Sequence, residues 1–314
     1  MDRRLWNRRE ALWLAGGLGA GLAAGCGSGD GAIPDALPPG DDAPDEKAPA
    51  EAGATNTPAP SPTPTPTPAP QGREDRTLMA GTAWETPLHI ANSGVSGPVL
   101  LVLGGVHGNE PGGWGAAEGI ATWEPVRGRL LTIPHANVEA ISLFARTTER
   151  LGDLNRLYPG KTESEFPMER MAAEIVALGK ELGAEVVLDL HESWQFFVDA
   201  PNTGTASLGQ TMTMGIGPRN PDFGRATLAR ANAQIAGERD LLIERDGSRF
   251  RRSDGSSING DAPGNRGRSS LSLGGHVPGC TPILIEMGQQ DQALERRIEL
   301  HRIVVRAAMD ELGM

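Results

Sequence analysis

The chain has 314 residues, a length that allows one large or two small domains, and its formal net charge is -11. Residues 1–25 hold four arginines against two acidic residues, so the chain without them is more acidic still. Binding to nucleic acid phosphates needs clustered Lys and Arg, and no such block follows residue 25. A nucleic acid partner is therefore not expected.

Residues 1–25 are predicted to be a cleaved signal peptide. A basic start, MDRRLWNRRE, precedes the apolar stretch ALWLAGGLGAGLAAG, which is too short to span a bilayer stably. The pair Arg8-Arg9 resembles a twin-arginine export signal, although Asn7 and Ala11 depart from its usual residues, and the general secretory route stays equally open. Both routes lead out of the cytoplasm, so we expect an exported protein.

The cysteine that follows, Cys26, is predicted to carry the lipid of a lipoprotein. The sequence AAGC at residues 23–26 resembles a lipobox, although Ala replaces the usual Leu at its first position; an ordinary signal peptide is the alternative. Residues 26–75 include TPAPSPTPTPTPAPQ, whose prolines favour extended backbone and exclude helix and sheet. We expect a lipid-anchored, disordered linker that holds a folded domain, residues 76–314, on the outer side of the cytoplasmic membrane.

Four apolar runs bounded by Gly or Pro predict strands that are buried on both faces, because they lack the alternation of a half-exposed strand. They occupy residues 98–104, 129–133, 185–190 and 282–286. Helical periodicity predicts helices over residues 113–122, 168–182, 226–237 and 290–312. Strands that alternate with helices indicate a three-layer α/β fold, in which a central sheet is flanked by helices.

Between residues 194 and 277 the apolar pattern weakens and polar clusters such as RRSDGSSINGDAPGNRGRSS take its place. This segment is predicted to be a long loop region beside the site, and a functional or a disordered loop is equally compatible with it. Cys280 comes shortly afterwards, far from Cys26, so a disulfide is not expected. A lone cysteine of this kind is usually a buried thiol that packs in the core.

The sharpest motif is GGVHGNE at residues 104–110, directly after a predicted strand. Its glycines let the chain leave the strand sharply, and the spacing of His107 and Glu110 brings an imidazole and a carboxylate to one side of the turn. In VVLDLHES, His191 comes at the end of another predicted strand, where open α/β sheets bind ligands. Two His and one Glu form a three-ligand zinc set with an open position, so one Zn²⁺ is expected there.

Two further motifs supply polar groups. GDLNRLYPG, residues 152–160, places Asn155 beside Arg156, whose guanidinium can clamp a carboxylate; a turn with a surface arginine is the alternative. In TPILIEMG, Glu286 ends a predicted buried strand and is predicted to be a general base for water near the metal. A carboxylate that caps the following helix is the alternative for Glu286.

Taken in order, HGNE, DLNRLYPG, LDLH and ILIEMG resemble the motifs of the zinc carboxypeptidase superfamily, and most closely those of its succinylglutamate desuccinylase and aspartoacylase branch. The resemblance covers roughly residues 85–314. It implies a central mixed β-sheet with helices on both faces and a zinc ion held by His107, Glu110 and His191. The folded domain would then be the catalytic domain of a zinc hydrolase.

The same resemblance implies roles for the remaining site residues. Asp153 matches the carboxylate that orients the first histidine ligand, a partner that a ligating imidazole needs. Asn155 and Arg156 match the pair that binds the substrate's carboxylate, and Glu286 matches the base. Two further arginines lie near the place of a family arginine without its exact spacing, so oxyanion stabilisation is assigned to either: Arg146 and Arg150.

These expectations combine into the hydrolysis of an amide bond adjacent to a free carboxylate, with water activated by zinc and Glu286. The substrates would be small peptides, including cell-wall stem peptides, or N-acyl amino acids. The main alternative is a tethered lipoprotein that keeps the metal for binding and turns nothing over. A serine hydrolase has less support, because Ser193 lacks a Gly-x-Ser-x-Gly elbow and three other histidines have no partner motif: His89, His135 and His276.

Overall fold

The computed structural model describes residues 71–199, 206–245 and 268–314. The predicted signal peptide, Cys26 and the proline-rich stretch of the linker lie outside these residues. Five α-helices are described: α1 (Pro111–Ile120), α2 (Val138–Ser142), α3 (Pro167–Leu182), α4 (Asp222–Asn232) and α5 (Leu294–Leu312). The strands are β1 (Gly72–Leu78), β2 (Thr86–Asn92), β3 (Val99–Leu103), β4 (Arg129–Ile133), β5 (Val186–Ser193), β6 (Thr211–Met214), β7 (Ile243–Arg245) and β8 (Thr281–Gly288).

The strands form one mixed sheet in the order β1-β2-β4-β3-β5-β8-β6-β7. Its centre, β4-β3-β5-β8, is parallel, whereas β1 and β2 pair antiparallel on one side and β6 pairs antiparallel with β8 on the other. Every residue of β3, β5 and β8 is buried, which agrees with their uninterrupted apolar sequences. The predicted α/β fold with a central mixed sheet is therefore confirmed.

Helices cover both faces of this sheet, and the sheet separates two apolar cores. Alternate residues of β3 point to opposite faces, so that Leu101 packs with α3 on one side and Leu100 packs with α1 and α5 on the other. The apolar residues of α3 recur at helical spacing, and Gly183, with φ +69°, ends that helix. Within the described part of the chain, no helix has the length and apolar character that a bilayer crossing requires.

Four strands were missed by the sequence analysis. The predicted linker ends at residue 75, but β1 already begins at Gly72, and most of its residues are exposed and charged. An exposed edge strand shows no apolar run, so neither its existence nor its start is visible in the pattern. The predicted loop region 194–277 contains β6, α4 and β7, and the helix predicted at residues 226–237 is shifted to Asp222–Asn232.

Candidate metal centre and active site

The GGVHGNE turn leaves β3 at the carboxyl end of the parallel strands and needs its glycines. Gly105 has φ +68°, a left-handed conformation that side chains with a Cβ rarely adopt. A Cβ on Gly108 would lie 1.9 Å from the carbonyl oxygen of Ala140, because α2 packs directly on the turn. The backbone N–H of Gly108 also donates to the carbonyl of Ala145 at 2.9 Å. Close packing against α2 thus fixes the turn that carries the first two candidate ligands.

The structure brings His107, Glu110 and His191 together, with their ligand atoms all within 4.8 Å of one another. Nδ1 of His107 lies 2.7 Å from one oxygen of Glu110, and Nδ1 of His191 lies 2.8 Å from the other. The two Nδ1 atoms are 3.1 Å apart. All three side chains are buried. Three donors from two strand ends therefore converge on one point.

The opposite nitrogen of each imidazole faces a carboxylate. Nε2 of His107 lies 3.1 Å from Oδ1 of Asp153, within hydrogen-bond distance, and Nε2 of His191 lies 2.8 Å from Oδ2 of Asp189, an ion-pair contact whose angle does not make a hydrogen bond. A carboxylate bonded to Nε2 holds the proton there and leaves the lone pair of Nδ1 for a metal, as Asp153 does for His107. For His191, the negative charge of Asp189 favours a proton on the facing Nε2. Asp153 was predicted from the sequence and Asp189 was not. Asp189 stands two residues before His191 on the same face of β5, and this Asp-x-His spacing is the signal that could have revealed it.

The charges of the three groups act strongly on one another. Burial raises the pKa of Glu110, but the neighbouring His107 and His191 outweigh it, so the net pKa of that carboxyl is lowered. Burial lowers the pKa of His191, but Asp189 and Glu110 outweigh it and raise the pKa well above its usual value. Two histidines with facing Nδ1 atoms and a shared carboxylate form a nitrogen and oxygen donor set that fits a divalent ion such as Zn²⁺.

Glu286 lies beside the cluster, on β8, in direct parallel register with His191. Glu286 was predicted to end its strand, but β8 continues for two more residues. Burial raises the pKa of Glu286 to about 7; the charge of His191 and a 2.9 Å hydrogen bond from Oγ of Ser193 oppose this rise. A carboxyl that titrates near neutral pH can accept and return a proton.

Arg146 and Asn155 both lie in the site and are already engaged. Arg146 pairs with Asp153 at 3.1 Å and reaches Glu110 at 3.5 Å. The side-chain oxygen of Asn155 accepts from the backbone N–H of Ser270 at 3.0 Å. Asn155 therefore ties the Asp153 loop to the segment that follows residue 267.

Arg156 differs from these two residues because no carboxylate of the described chain lies within ion-pair distance of its guanidinium. Its Nη1 donates to the carbonyl of Asn155 at 2.7 Å. Burial lowers the pKa of Arg156, and the carboxylates that act on it most include Asp153 and Glu286. A half-buried cation with free donors beside the cluster is suited to bind a carboxylate ligand.

One predicted site residue is not brought to the cluster. Arg150 pairs with Glu139 and lies over the ring of Trp84, and its side chain is 62% exposed. The loop before Asp153 turns Arg150 to the surface and Arg146 inward, so of these two arginines Arg146 is the one that lies at the cluster. The histidines considered for a serine hydrolase also lie elsewhere: His135 contacts Glu118, and His89 contacts Asp75.

The protein is thus a three-layer α/β protein whose mixed sheet carries a His-Glu-His cluster at the ends of its parallel strands, and known proteins of the same kind can be compared with it. A family model, the succinylglutamate desuccinylase/aspartoacylase catalytic domain, matches residues 96–195. That range contains the predicted metal ligands, and the match confirms the resemblance to this branch. No curated protein sequence matches the chain significantly.

Solved structures show the same fold. The cell shape determinant protein Csd4 of Helicobacter pylori has 19% identity and a TM-score of 0.55, over 69% of this chain and 51% of that one. An aspartoacylase family protein of Mesorhizobium loti has 22% identity and a TM-score of 0.51, over 80% and 69%. A succinylglutamate desuccinylase/aspartoacylase of Rhodobacter sphaeroides has 20% identity and a TM-score of 0.52, over 78% of this chain and 66% of that one.

Identities of this size establish the fold that the chains share, and the alignment with Csd4 spans only about half of that protein's length. One structure of Csd4 is described as the mDAP-bound form of a D,L-carboxypeptidase, and another as its tripeptide-bound form. Those ligands belong to Csd4.

Proposed function

We propose that this protein is a zinc-dependent hydrolase that cleaves an amide bond adjacent to a free carboxylate. The convergence of His107, Glu110 and His191, with Glu286 in register beside them, is the observation that carries the proposal. These three residues would hold the metal. When bound there, a divalent cation supplies Lewis acidity that polarises the scissile carbonyl and lowers the pKa of water.

Glu286 is the proposed general base. Because its pKa is raised to about 7, its carboxylate takes a proton from the attacking water near neutral pH and returns it to the leaving nitrogen. The hydroxyl of Ser193 donates to this carboxylate and holds it in place. The same hydrogen bond favours the ionised form of Glu286, which is the form that a base needs.

Arg156 is the proposed anchor for the substrate's carboxylate. Its guanidinium has donors that no described carboxylate occupies, and a bidentate clamp on a carboxylate would fix which amide lies against Glu286. Arg146 is the proposed electrostatic partner of the developing oxyanion, since it is the arginine that contacts both Asp153 and Glu110. Asn155 supports the loop that presents Arg156.

The proposed substrate class is small peptides, including cell-wall peptides, with N-acyl amino acids as the second class. The fold shared with Csd4, described as a D,L-carboxypeptidase, supports the first class, and the matched family supports the second. Predicted export also favours peptides. We further propose that a lipid on Cys26 tethers the protein to the outer side of the cytoplasmic membrane, and Cys26→Ser should then move the chain from the membrane to the soluble fraction.

The experiment combines metal analysis of the purified chain with a substrate screen followed by mass spectrometry. Peptides that end in mDAP represent one class, and N-succinylglutamate and N-acetylaspartate represent the other. We expect about one zinc per chain and chelator-sensitive release of product in one class, lost in Glu286→Gln with the metal retained. A zinc-loaded chain that binds peptides and releases no product would support the alternative, a tethered binding protein without turnover.

A further inference from the structure

An ion pair is buried behind the His-Glu-His cluster, on the opposite face of β5. The side chain of Glu192 is fully buried and that of Arg297, from α5, is 11% exposed; they pair at 2.8 Å. Successive residues of a strand point to opposite faces, so Glu192 points away from the cluster to which His191 belongs. None of the roles proposed above uses this ion pair.

Glu192 is bonded to every segment that supplies a metal ligand or the base. Gln289, which follows β8, donates from Nε2 both to Glu192 at 3.1 Å and to the carbonyl of Asn109 at 2.8 Å. Asn109 is the residue before Glu110 in the metal-binding turn. The backbone N–H of Glu192 donates to Oε2 of Glu110 at 3.0 Å. One residue thus joins β5, the turn after β3 and the end of β8.

The other oxygen of Glu192 faces the start of α1. A Cβ on Gly112 would lie 2.0 Å from Oε1 of Glu192 and 3.0 Å from Cβ of Arg297. Gly112 stands in the first turn of α1, where the helix dipole favours a negative charge. Only a glycine leaves room there for the carboxylate and the arginine stem together.

A buried ion pair is a poor means of stabilising a fold, because apolar residues of similar volume often do as well or better. The position of the Glu192–Arg297 pair, directly behind the proposed metal ligands, points to a role other than stability. We infer that Glu192, held by Arg297 and Gln289, is a positioning residue that fixes the mutual geometry of the metal ligands from behind the sheet. This inference rests on the proposed function, since it requires a metal at the cluster.

The test measures metal affinity apart from stability and turnover, in the full-length chain prepared without metal. Two variants remove the network: Glu192→Gln, which keeps the shape, and the double variant Glu192→Leu with Arg297→Met, which leaves no unpaired charge. The readouts are the Kd for Zn²⁺ from chelator competition, the visible absorption spectrum with Co²⁺, and the denaturant midpoint of the metal-free chain. The matched control is Arg296→Met with Asp240→Leu, which removes another 2.8 Å ion pair of α5.

We expect both network variants to weaken Zn²⁺ binding by about tenfold or more, which is the loss of affinity seen when outer partners of metal ligands are removed. The Co²⁺ spectrum should change as well. The metal-free midpoint of the double variant should stay close to wild type, and the control should bind Zn²⁺ normally. Unchanged Kd in folded variants overturns the inference, as does a double variant that is unfolded without metal. Wild-type chain that binds no Zn²⁺ overturns the proposed function itself, whereas binding without turnover leaves the positioning role intact.

Discussion

The two sides of β5 hold buried histidines in opposite states. His191 belongs to the His-Glu-His cluster; burial lowers its pKa, but Asp189 and Glu110 outweigh burial and raise the pKa well above the usual value. His301, on α5 behind the sheet, is equally buried, and neither of its ring nitrogens has a well-formed hydrogen bond in the described chain. Burial, with the positive charges of His191 and Arg297, lowers the pKa of His301 to about 3. Partners, and not burial alone, decide what a buried histidine can do.

The largest expected effect comes from removing the partnered histidine. His191→Ala deletes one of the three proposed ligands and leaves Asp189 buried without its partner. Because loss of an outer partner alone costs 10- to 100-fold, we expect Zn²⁺ affinity to fall by more than about 100-fold and turnover to disappear. Metal content by mass spectrometry and Kd by competition check this, and a variant that keeps stoichiometric zinc would contradict the assignment of His191.

A smaller effect is expected from the hydroxyl that serves Glu286. Ser193→Ala removes a hydrogen bond to the ionised carboxylate, so the pKa of Glu286 rises further above its usual value. The acidic limb of kcat/KM should move to higher pH by about one unit, and activity at pH 7 should fall by up to about tenfold and recover in alkali. Ser142→Ala, at a surface hydroxyl, is the control, and superimposable pH profiles would refute the hydrogen bond's role.

The low pKa of His301 predicts that the stability of the fold depends on pH. Its folded pKa of about 3 lies below its unfolded value of about 6.5, so the unfolded chain binds the proton first and stability falls as pH drops through this window. His301→Leu should remove this loss, and the difference between variant and wild type should grow by about 1.4 kcal/mol per pH unit below 6.5. Urea unfolding at several pH values measures it; parallel curves would contradict the low pKa.

The smallest effect concerns a buried thiol that has no activating partner among the described residues. Burial raises the pKa of the Cys280 thiol to about 12, and the residue is fully buried at the start of β8. We expect the native chain to show no alkylation of Cys280 by iodoacetamide at pH 8, and rapid alkylation after unfolding, because the thiolate is the reactive form. Peptide mass spectrometry checks this, and modification in the folded state would show that β8 opens.

The sequence predicted what depends on local pattern. The strands β3, β4, β5 and β8 could be predicted because a strand that is buried on both faces consists almost entirely of apolar residues. The two histidines of the cluster follow such apolar runs in β3 and β5. The edge strands β1 and β7 carry charged residues, so their sequences resemble those of loops. Whether a strand lies at the edge depends on how the other strands of the sheet pair, and a short stretch of sequence does not carry that information.

The same distinction holds for the site. His107, Glu110 and Glu286 stand in recognisable motifs, whereas Asp189 lies inside an apolar run and the partner of Glu192 comes from a helix about a hundred residues later. Arg146 and Arg150 could not be separated by spacing, because the loop geometry that turns one inward depends on Asp153 and Glu139. Contacts between distant segments decide such cases.

The direct register of His191 and Glu286 has a consequence for redesign. Two residues paired across neighbouring strands keep a backbone separation of about 5 Å that is set by the sheet, independent of any rotamer or loop. The backbone spacing between the proposed ligand and the proposed base is therefore independent of changes in the loops, whereas Arg146 and Arg156 stand on connecting segments. If the proposed roles hold, exchanging those segments should change which substrate binds and leave the spacing of ligand and base as it is.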